Sequence, residues 1–419
     1  MTASCRPTMN EAPLLSGPDL QMRAGFRQRY FLLLLIAVFL FITFLTEYYG
    51  NYFNMAFTDS EKYDYYIDLE GNEDCACPSS SPGKYYDFCY RLPENRTVHG
   101  FRFNCSFVEI VERLGLLPDS TNLTHRLINL KKEDMPPPVF VTAFSENHAR
   151  EGRKSIERIR YIWPQQKIIL YDLGITEALS QFVKIPNLEI RRFNFSQYPS
   201  YFSKLTEFRW KPIIIAKTLA EFGAIWYLDS SIVFKKNDLS HVYDLVRCHR
   251  NVSKRVNPKL ASVTEGTTTL ENGWNRERWD QNVRECRKSA YLLHGFSGHG
   301  IYPATNPGVY KWIPTNMAEL RKGSAGMYDA GFVFAVWTRE TIENILLWYV
   351  LCALQERCMA PRGATLGCSF KNDRYAEYAD CHRYDQSVVN LLAANSYQYE
   401  RRNYVSEIVD FFDIERGFD

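Results

Sequence analysis

Short apolar segments alternate with amphipathic segments along much of the chain, and this alternation predicts an α/β fold. Four segments are predicted strands: 139–144 (VFVTAF), 167–171 (KIILY) and 224–228 (AIWYL) are short apolar runs, and 188–193 (LEIRRF) alternates between apolar and polar residues. Residues 148–162 carry isoleucines at helical spacing among charges, and residues 212–222 form a second helical segment that starts with proline and precedes Gly223. Strands that alternate with helices are typical of a mainly parallel sheet with helices on both faces.

The pattern continues less regularly in the second half of the chain. Residues 330–336 (AGFVFAV) are typical of a strand, and Thr338 is a suitable cap for the long apolar helix that follows. The segment from Gly295 to Pro314 is rich in glycine and proline, so we expect it to lie outside the core, either as a lid or acceptor site or as a plain surface loop. A last helical segment, VVNLLAAN, follows the dipeptide Asp385-Gln386.

The N-terminal region carries a membrane signal. The uncharged run Tyr30–Thr46 would span roughly 26 Å as a helix, enough for a thin bilayer. Arginines precede this run and acidic residues follow it, so we expect a cytosolic tail at 1–29, a transmembrane signal anchor at 30–46 and a lumenal remainder. A cleaved signal peptide is the alternative, but the long leader and the lack of a small-x-small site disfavour it.

Two further features agree with a lumenal location for the residues after the anchor. Five N-x-S/T sequons, expected to be glycosylated, all lie there: Asn95, Asn104, Asn122, Asn194 and Asn251. Ten of the eleven cysteines lie there too, and an even number in an oxidising compartment predicts disulfides. Residues 47–135 are expected to form a stem with a small cysteine module, and the prolines at 136–138 mark the expected boundary to a domain at 136–419.

Composition and charge narrow the class of function. The 419 residues are 46% hydrophobic and 15% aromatic, which is enough for a sizeable core. The formal net charge of +2 gives no reason to expect a nucleic acid polymer as a partner. In open α/β sheets, ligands bind beyond the carboxyl ends of the strands. Thr142, Asp172 and Asp229 lie at such strand ends, so we expect them to border a ligand site.

Five segments together resemble a known group of proteins by their order and spacing. They are LYDLGIT (170–176), FRWKPIIIAKTLAEFGAIWYLDSSIVF (208–234), YDAGFVF (328–334), LCALQERCMAP (351–361) and CHRYDQSVVNLL (381–392). Over residues 136–400 the chain resembles an animal family of type II membrane proteins in the nucleotide-diphospho-sugar transferase superfamily, the GT-A glycosyltransferases. The resemblance implies a Rossmann-like GT-A domain that takes a sugar from a nucleotide-sugar donor, expected to be a UDP-sugar, and that uses Mn²⁺.

The resemblance also assigns roles to individual residues. Asp229 and Ser231 stand where two acids of an Asp-x-Asp motif hold the metal and the donor diphosphate, with His382 as a further metal ligand. The expected donor-binding residues are Thr142, Ala143, Asp172, Lys211, Asp229, Ser231, Ala330 and Gly331. Asp385 and Gln386 resemble the Asp-Gln pair of retaining enzymes related to glycogenin and are the expected catalytic residues. A serine is a poor ligand for a hard cation, so metal independence is an open alternative.

Each of these assignments competes with a structural role. Asp229 could be a capped strand end, and Asp385 could be the N-cap of the helix that follows it. His382 could be a packed or hydrogen-bonded histidine, and Lys211 could be a solvated charge. The sequence alone keeps both possibilities for each residue.

The leading interpretation is a Golgi membrane protein with one span and a lumenal catalytic domain that glycosylates a glycan, glycoprotein or glycolipid acceptor. A homodimer is left open. The first alternative, motivated by Ser231, is a catalytically degenerate fold that binds glycans or protein partners without turnover. A disulfide-rich adhesion module is the second alternative, but such modules are usually all-β, and the alternation of strands and helices disfavours it.

Overall fold

The structure is a computed structural model that describes residues 75–79, 85–117, 127–247, 289–406 and 409–417. No helix within these ranges is long and apolar enough to cross a membrane. The predicted cytosolic tail and signal anchor, residues 1–46, lie outside the described residues, as do Cys248, Cys286, Asn122 and Asn251. What the sequence predicts for those residues stays a prediction.

The described residues form strands β1–β14 and α-helices α1–α10. The strands are β1 Ala76–Pro78, β2 Tyr85–Asp87, β3 Cys89–Arg91, β4 His99–Arg102, β5 Val139–Phe144, β6 Ile168–Asp172, β7 Leu188–Arg192, β8 Ala224–Leu228, β9 Ile232–Phe234, β10 Tyr291–Leu293, β11 Phe296–Gly300, β12 Gly326–Tyr328, β13 Phe332–Val336 and β14 Phe412–Ile414. The helices are α1 Val108–Arg113, α2 Ala149–Ile162, α3 Leu179–Phe182, α4 Trp210–Phe222, α5 Ser240–Arg247, α6 Met317–Leu320, α7 Arg339–Thr341, α8 Leu347–Leu354, α9 Glu356–Met359 and α10 Asp385–Ser396. A π-helical turn, Ile342–Leu346, joins α7 to α8.

A six-stranded sheet in the order β10-β13-β8-β5-β6-β7 organises the fold. The strands β7, β6, β5 and β8 run parallel, whereas β13 and β10 are antiparallel to their neighbours. The prediction of an α/β fold with a mainly parallel sheet is confirmed, although the sheet is mixed at one edge. The chain moves outward from β5 on one side through β6 and β7, and returns to the other side of β5 as β8. This reversal is a topological switch point, where ligands bind in such sheets.

Alternate side chains of β5 enter two different hydrophobic cores, as the two-residue period of a strand requires. Val139, Val141 and Ala143 belong to the core on one face, and Phe140 and Phe144 belong to the core on the other. Helices α4 and α10 cover the first face, and α2 covers the second. Because both faces are buried, the strand is apolar apart from Thr142, which is why its sequence shows a nearly continuous apolar run and no polar alternation.

Helix α4 positions the first residue of the candidate site. It begins at Trp210, two residues before the predicted start, and Pro212 lies in its first turn, where a missing N–H costs no hydrogen bond. Gly223, with φ of 77°, ends the helix as predicted. Arg209 is fully buried just before the helix and donates to the carbonyl oxygens of Ala353 and Glu356. These hydrogen bonds fix the start of α4 against the end of α8.

The predicted disulfides are confirmed for the described cysteines. The four bridges join Cys75 to Cys89, Cys77 to Cys105, Cys352 to Cys358 and Cys368 to Cys381. The first two bridges form an N-terminal module that packs on the rest of the domain through aromatic rings. The ring centroids of Phe103 and Trp312 are 5.4 Å apart, and those of Tyr90 and Trp348 are also 5.4 Å apart. Its residues therefore share a core with the sheet, and the domain boundary at residue 135 stays a prediction.

The segment 295–314 corrects one expectation. Strand β11 pairs with β12, and Ile301, Ala304, Val309 and Ile313 are fully buried, so this segment is part of the core and not a surface loop. Two of its three prolines, Pro303 and Pro307, lie in the first turns of two 3₁₀ helices, Tyr302–Ala304 and Pro307–Lys311, where a residue without an N–H fits. High glycine and proline content here reflects tight turns within a packed region.

Three of the predicted sequon asparagines are in the described residues, and all three side chains are exposed. In Asn95 and Asn194 the side-chain oxygen accepts from the hydroxyl of the residue two positions on, and in Asn104 it accepts from the backbone N–H there. Glycosylation of these residues stays a prediction that the exposure permits.

Candidate functional site

Three charged side chains from distant parts of the chain meet at the carboxyl end of β8. Lys211 Nζ lies 3.1 Å from Asp229 Oδ1 and 2.7 Å from Asp385 Oδ2. The side chains of Lys211 and Asp385 are 3% and 5% exposed, whereas that of Asp229 is 33% exposed. We call this group the lysine–aspartate cluster. Asp229 is its contact with solvent, and Asp385 lies behind the lysine.

Asp229 is held in place from both sides. Its backbone N–H donates to the carbonyl oxygen of Gly331 at 2.7 Å, and the Tyr227 hydroxyl donates to its Oδ1 at 2.9 Å. A Cβ atom built on Gly331 would overlap with Asp229 Oδ2, so a larger residue at position 331 displaces the carboxylate. Gly331, predicted to bind the donor, therefore allows close approach of the Asp229 carboxylate.

Backbone strain precedes both buried members of the cluster. Phe208, three residues before Lys211, has φ of 53°, and Tyr384, immediately before Asp385, has φ of 45° and ψ of −113°. Aromatic residues in this left-handed region cost free energy, of order 1–3 kcal/mol each, and such strain concentrates at functional sites. Tyr384 is the N-cap of α10 and Asp385 is its first helical residue, so the alternative of Asp385 as the N-cap is not what the structure shows.

The electrostatics of the cluster depend on mutual pairing. Burial opposes the positive charge of Lys211, but the carboxylates of Asp229 and Asp385 outweigh it, and the pKa of Lys211 is raised. Burial raises the pKa of Asp385 above its usual value, and Lys211 offsets part of that rise. Lys211 therefore stays protonated, and it is a fixed cation in the site. The alternative of a solvated Lys211 is excluded by its burial.

A cleft of about 490 Å³ adjoins the cluster. It is lined by Ser297, His299, Asp329, Phe370, Arg374, Arg383, Gln386, Ile414 and Arg416, and we call it the arginine cleft. Gln386 Nε2 donates to Ser297 Oγ at 2.8 Å, and Ser297 Oγ in turn donates to Asp329 Oδ1 at 3.3 Å. Burial raises the pKa of Asp329, with Arg416 and Ser297 acting against that rise. Of the two predicted catalytic residues, Gln386 reaches this cleft, whereas Asp385 faces Lys211.

The described residues do not fit a tightly bound divalent cation. An ammonium group already occupies the space between Asp229 and Asp385, and Ser231, 7% exposed, offers a hydroxyl in place of a second acid. Both ring nitrogens of His382 are engaged, since Nδ1 accepts from the Asn306 N–H and Nε2 lies 3.0 Å from the Met359 carbonyl oxygen. His382 is thus a packed histidine and not a metal ligand, and burial lowers its pKa to about 3. The ligand set that the Mn²⁺ prediction requires is not assembled here.

The remaining predicted donor-binding residues lie in β5, in β6 and just before β13. Thr142 and Ala143 are buried in β5, and Thr142 Oγ1 has no hydrogen-bond partner among the described residues. Asp172 Oδ1 accepts from the backbone N–H groups of Gly174 and Ile175, so its carboxylate closes a turn. Ala330 is buried beside Gly331. The structure thus brings Lys211, Asp229, Gly331 and Asp385 together, and donor contacts by the others stay predictions.

Sequence reasoning missed the arginines of the cleft. Arg374 lies within the loop closed by the Cys368–Cys381 disulfide, Arg383 precedes α10, and Arg416 follows β14. Strand β14 pairs with β9, and the backbone N–H of Glu415 donates to the carbonyl oxygen of Ser231, which brings the C-terminal segment beside the site. The three arginines share no motif or period, because they converge only through tertiary folding.

Comparisons with known proteins place these findings in context. A model of the family described as "Protein of unknown function (DUF1647)" matches residues 75–216. No curated protein sequence matches the chain.

Solved structures give distant similarities. The galactosyltransferase LgtC, in complex with donor and acceptor sugar analogs, is 11% identical with a TM-score of 0.30, over 64% of this chain and 72% of that one. Core-mannan synthase A from Aspergillus fumigatus, in its Mn/GDP form, is 11% identical with a TM-score of 0.28, over 78% and 80% of the two chains. The apo bifunctional enzyme WbbM is 13% identical with a TM-score of 0.29, over 64% and 38%. At these values we take nothing about function from the similarity.

Proposed function

We propose that this protein is a glycosyltransferase that moves a sugar from a nucleotide-sugar donor, a UDP-sugar, to a glycan, glycoprotein or glycolipid acceptor. The lysine–aspartate cluster carries the proposal. It joins a residue of α4, the residue that follows β8 and the first residue of α10 at the carboxyl edge of the sheet. This is beside the switch point between β5 and β8, where ligands bind in this architecture. The resemblance of the motifs around 208–234 and 381–392 to GT-A enzymes supports the same conclusion.

The geometry suggests a division of work among the residues. Asp229 presents a partly exposed carboxylate to the donor, while Lys211 and Asp385 orient it from behind. Gln386 offers its amide to sugar hydroxyls in the arginine cleft. In the transfer, the bond from the anomeric carbon to the diphosphate oxygen breaks, a bond to the acceptor oxygen forms, and the acceptor proton passes to a base or to the released diphosphate. If the reaction inverts the anomeric centre, Asp329 is the base, since a raised pKa improves a carboxylate for that role.

The proposed location is the Golgi membrane, with the domain in the lumen. The apolar run at 30–46, the exposed sequon asparagines and the disulfides all suit that compartment. Disulfides and glycans would both be acquired along the secretory route, before the protein reaches the Golgi.

A second candidate function is favoured by two observations. Ser231 replaces an acid of the Asp-x-Asp motif, and Lys211 pairs with both carboxylates of the cluster. A protein of this fold that has lost catalysis and binds glycans or protein partners would tolerate the serine at position 231 and the pairing of Lys211 with both carboxylates. The two candidates differ in turnover.

A nucleotide-release assay on the full-length protein in detergent distinguishes them. UDP-, GDP- and CMP-sugars are supplied with EDTA or with Mn²⁺, and free nucleotide is measured with and without oligosaccharide acceptors. We expect one donor class to be turned over, and Asp229→Asn to reduce the rate strongly. The control Asp87→Asn removes an exposed acid that pairs with Arg91 in the N-terminal module, and it should leave the rate unchanged. Absence of both binding and turnover for every donor would refute the transferase.

A further inference from the structure

The arginine cleft holds more positive than negative charge. Three guanidinium groups, from Arg374, Arg383 and Arg416, face one carboxyl group, that of Asp329. They come from three separate segments, so their convergence is a property of the fold. Like charges in one cleft repel each other, and an anion placed among them relieves this repulsion.

The guanidinium groups retain capacity for a ligand. The Nε of Arg383 is buried and has no hydrogen-bond partner among the described residues. Arg374 stacks on the ring of Phe370 at 4.6 Å, which leaves the N–H groups at its rim able to donate. Arg416 lies 3.9 Å from Asp329 Oδ1, too far for a direct hydrogen bond, and its side chain is 68% exposed. A buried donor without a partner is costly unless a ligand satisfies it.

The chemistry of the ligand follows from the donors. Each guanidinium is a planar fork that matches the oxygens of phosphate or carboxylate, and it stays charged at any physiological pH. Ser297 and Gln386 add neutral polar groups at the same cleft, suited to sugar hydroxyls. An oxyanion attached to a sugar would thus find both kinds of contact within one cavity.

We propose that Arg374, Arg383 and Arg416 bind the diphosphate of the donor and neutralise its charge in place of a divalent cation. This inference rests on the proposed function, since it takes the cleft to be part of a sugar-nucleotide site. It also explains why Lys211 can fill the space between Asp229 and Asp385, because the site then needs no metal to stabilise the leaving group. An acidic group on the acceptor is the other source of an oxyanion for the same arginines.

Titration calorimetry of the full-length protein in detergent tests the inference with inorganic pyrophosphate in EDTA. We expect pyrophosphate to bind without metal, and Arg383→Gln to weaken it about tenfold, as the loss of one charge-assisted contact implies. The triple change with Arg374→Gln and Arg416→Gln should abolish binding. The control Arg339→Gln removes an arginine that pairs with Glu343 and is 70% exposed, and it should bind like the unmodified protein. Circular dichroism confirms that each variant is folded.

Three results would overturn the assignment: pyrophosphate binding that requires Mn²⁺, unchanged affinity in the Arg383→Gln variant, or binding of a sulfated oligosaccharide by the arginines in place of pyrophosphate. The last result would assign the cleft to an acidic acceptor. A failure of the proposed function alone gives a different result: pyrophosphate binds in EDTA, but no sugar nucleotide is turned over. Turnover that persists in the triple variant would overturn the arginine assignment alone.

Discussion

Removal of the Lys211 charge tests whether the lysine–aspartate cluster is a coupled unit. Lys211→Met keeps the approximate length of the side chain and removes the ammonium that lies 3.1 Å from Asp229 Oδ1 and 2.7 Å from Asp385 Oδ2. Asp385, with a side chain 5% exposed, is then left without its cation. Breaking a buried pair in this way costs about 3–5 kcal/mol of the free energy of unfolding. Protonation of Asp385 limits the loss, since burial already raises its pKa.

Urea denaturation of the full-length protein measures this loss, and a second variant isolates the coupling. Lys211→Met combined with Asp385→Asn removes both charges of the closest pair, so the double variant should lose about 1–3 kcal/mol less than the sum of the two single variants. A loss below about 1 kcal/mol in Lys211→Met, or additive losses in the double variant, would refute the reasoning, because exposed ion pairs contribute no more than that.

Substitution of Lys211 by alanine tests the cluster a second time, with Mn²⁺ binding as the readout. Lys211→Ala leaves room between two carboxylates that no longer have a cation, and carboxylate oxygens are good ligands for Mn²⁺. We expect Mn²⁺ to raise the melting temperature of this variant more than that of the unmodified protein, by preferential binding to the folded state. An equal Mn²⁺ shift in both proteins would contradict the view that Lys211 occupies the cation position.

The remaining predictions concern the carboxylate support and acid stability. Gly331→Ala should displace the Asp229 carboxylate, lower the free energy of unfolding by about 1–3 kcal/mol and remove most donor turnover. The control Gly323→Ala, where an added Cβ meets no atom within 4 Å, should change neither quantity. Urea denaturation measures the stability of each variant, and the nucleotide-release assay measures its turnover. Burial lowers the pKa of His241 to about 4 and of His382 to about 3, so both are neutral in the folded protein while the unfolded chain takes up protons below about pH 6.5. The free energy of unfolding should therefore fall as the pH drops from 6.5 towards 4. His382→Gln should make this fall with pH less steep. An equally steep fall in the variant would contradict the view that His382 is buried in its neutral form.

Much of the sheet was predictable because its signals are local. The four parallel strands lie at the predicted runs, to within one residue at either end. Strands β5, β6 and β8 are buried along their whole length and show as apolar runs, whereas the half-buried β7 shows as an alternation of apolar and charged residues. Asp229 at the end of β8 was predictable for the same reason, since the apolar run stops there. These features depend on neighbouring residues in the sequence, and periodicity reports them directly.

The contacts within the site were not predictable in the same way. Lys211 lies in α4, Asp229 directly follows β8 and Asp385 begins α10, and no local pattern states that one ammonium contacts both carboxylates. The ligand role expected of His382 depended on residue type alone, whereas its tautomer and partners are set by the backbone around it. The segment 295–314 was assigned to the surface because of its glycines and prolines, although short 3₁₀ turns let such residues enter a core.

The rate of nucleotide release from a sugar-nucleotide donor in EDTA tests the central claim most directly. The account predicts that the unmodified protein turns over one donor class in EDTA as fast as in Mn²⁺. It also predicts that Asp385→Asn, which breaks the pair with Lys211 while keeping the shape of the side chain, lowers kcat/KM by about 100-fold, equivalent to about 2.7 kcal/mol. Turnover that disappears in EDTA, or that is unchanged in Asp385→Asn, would contradict it.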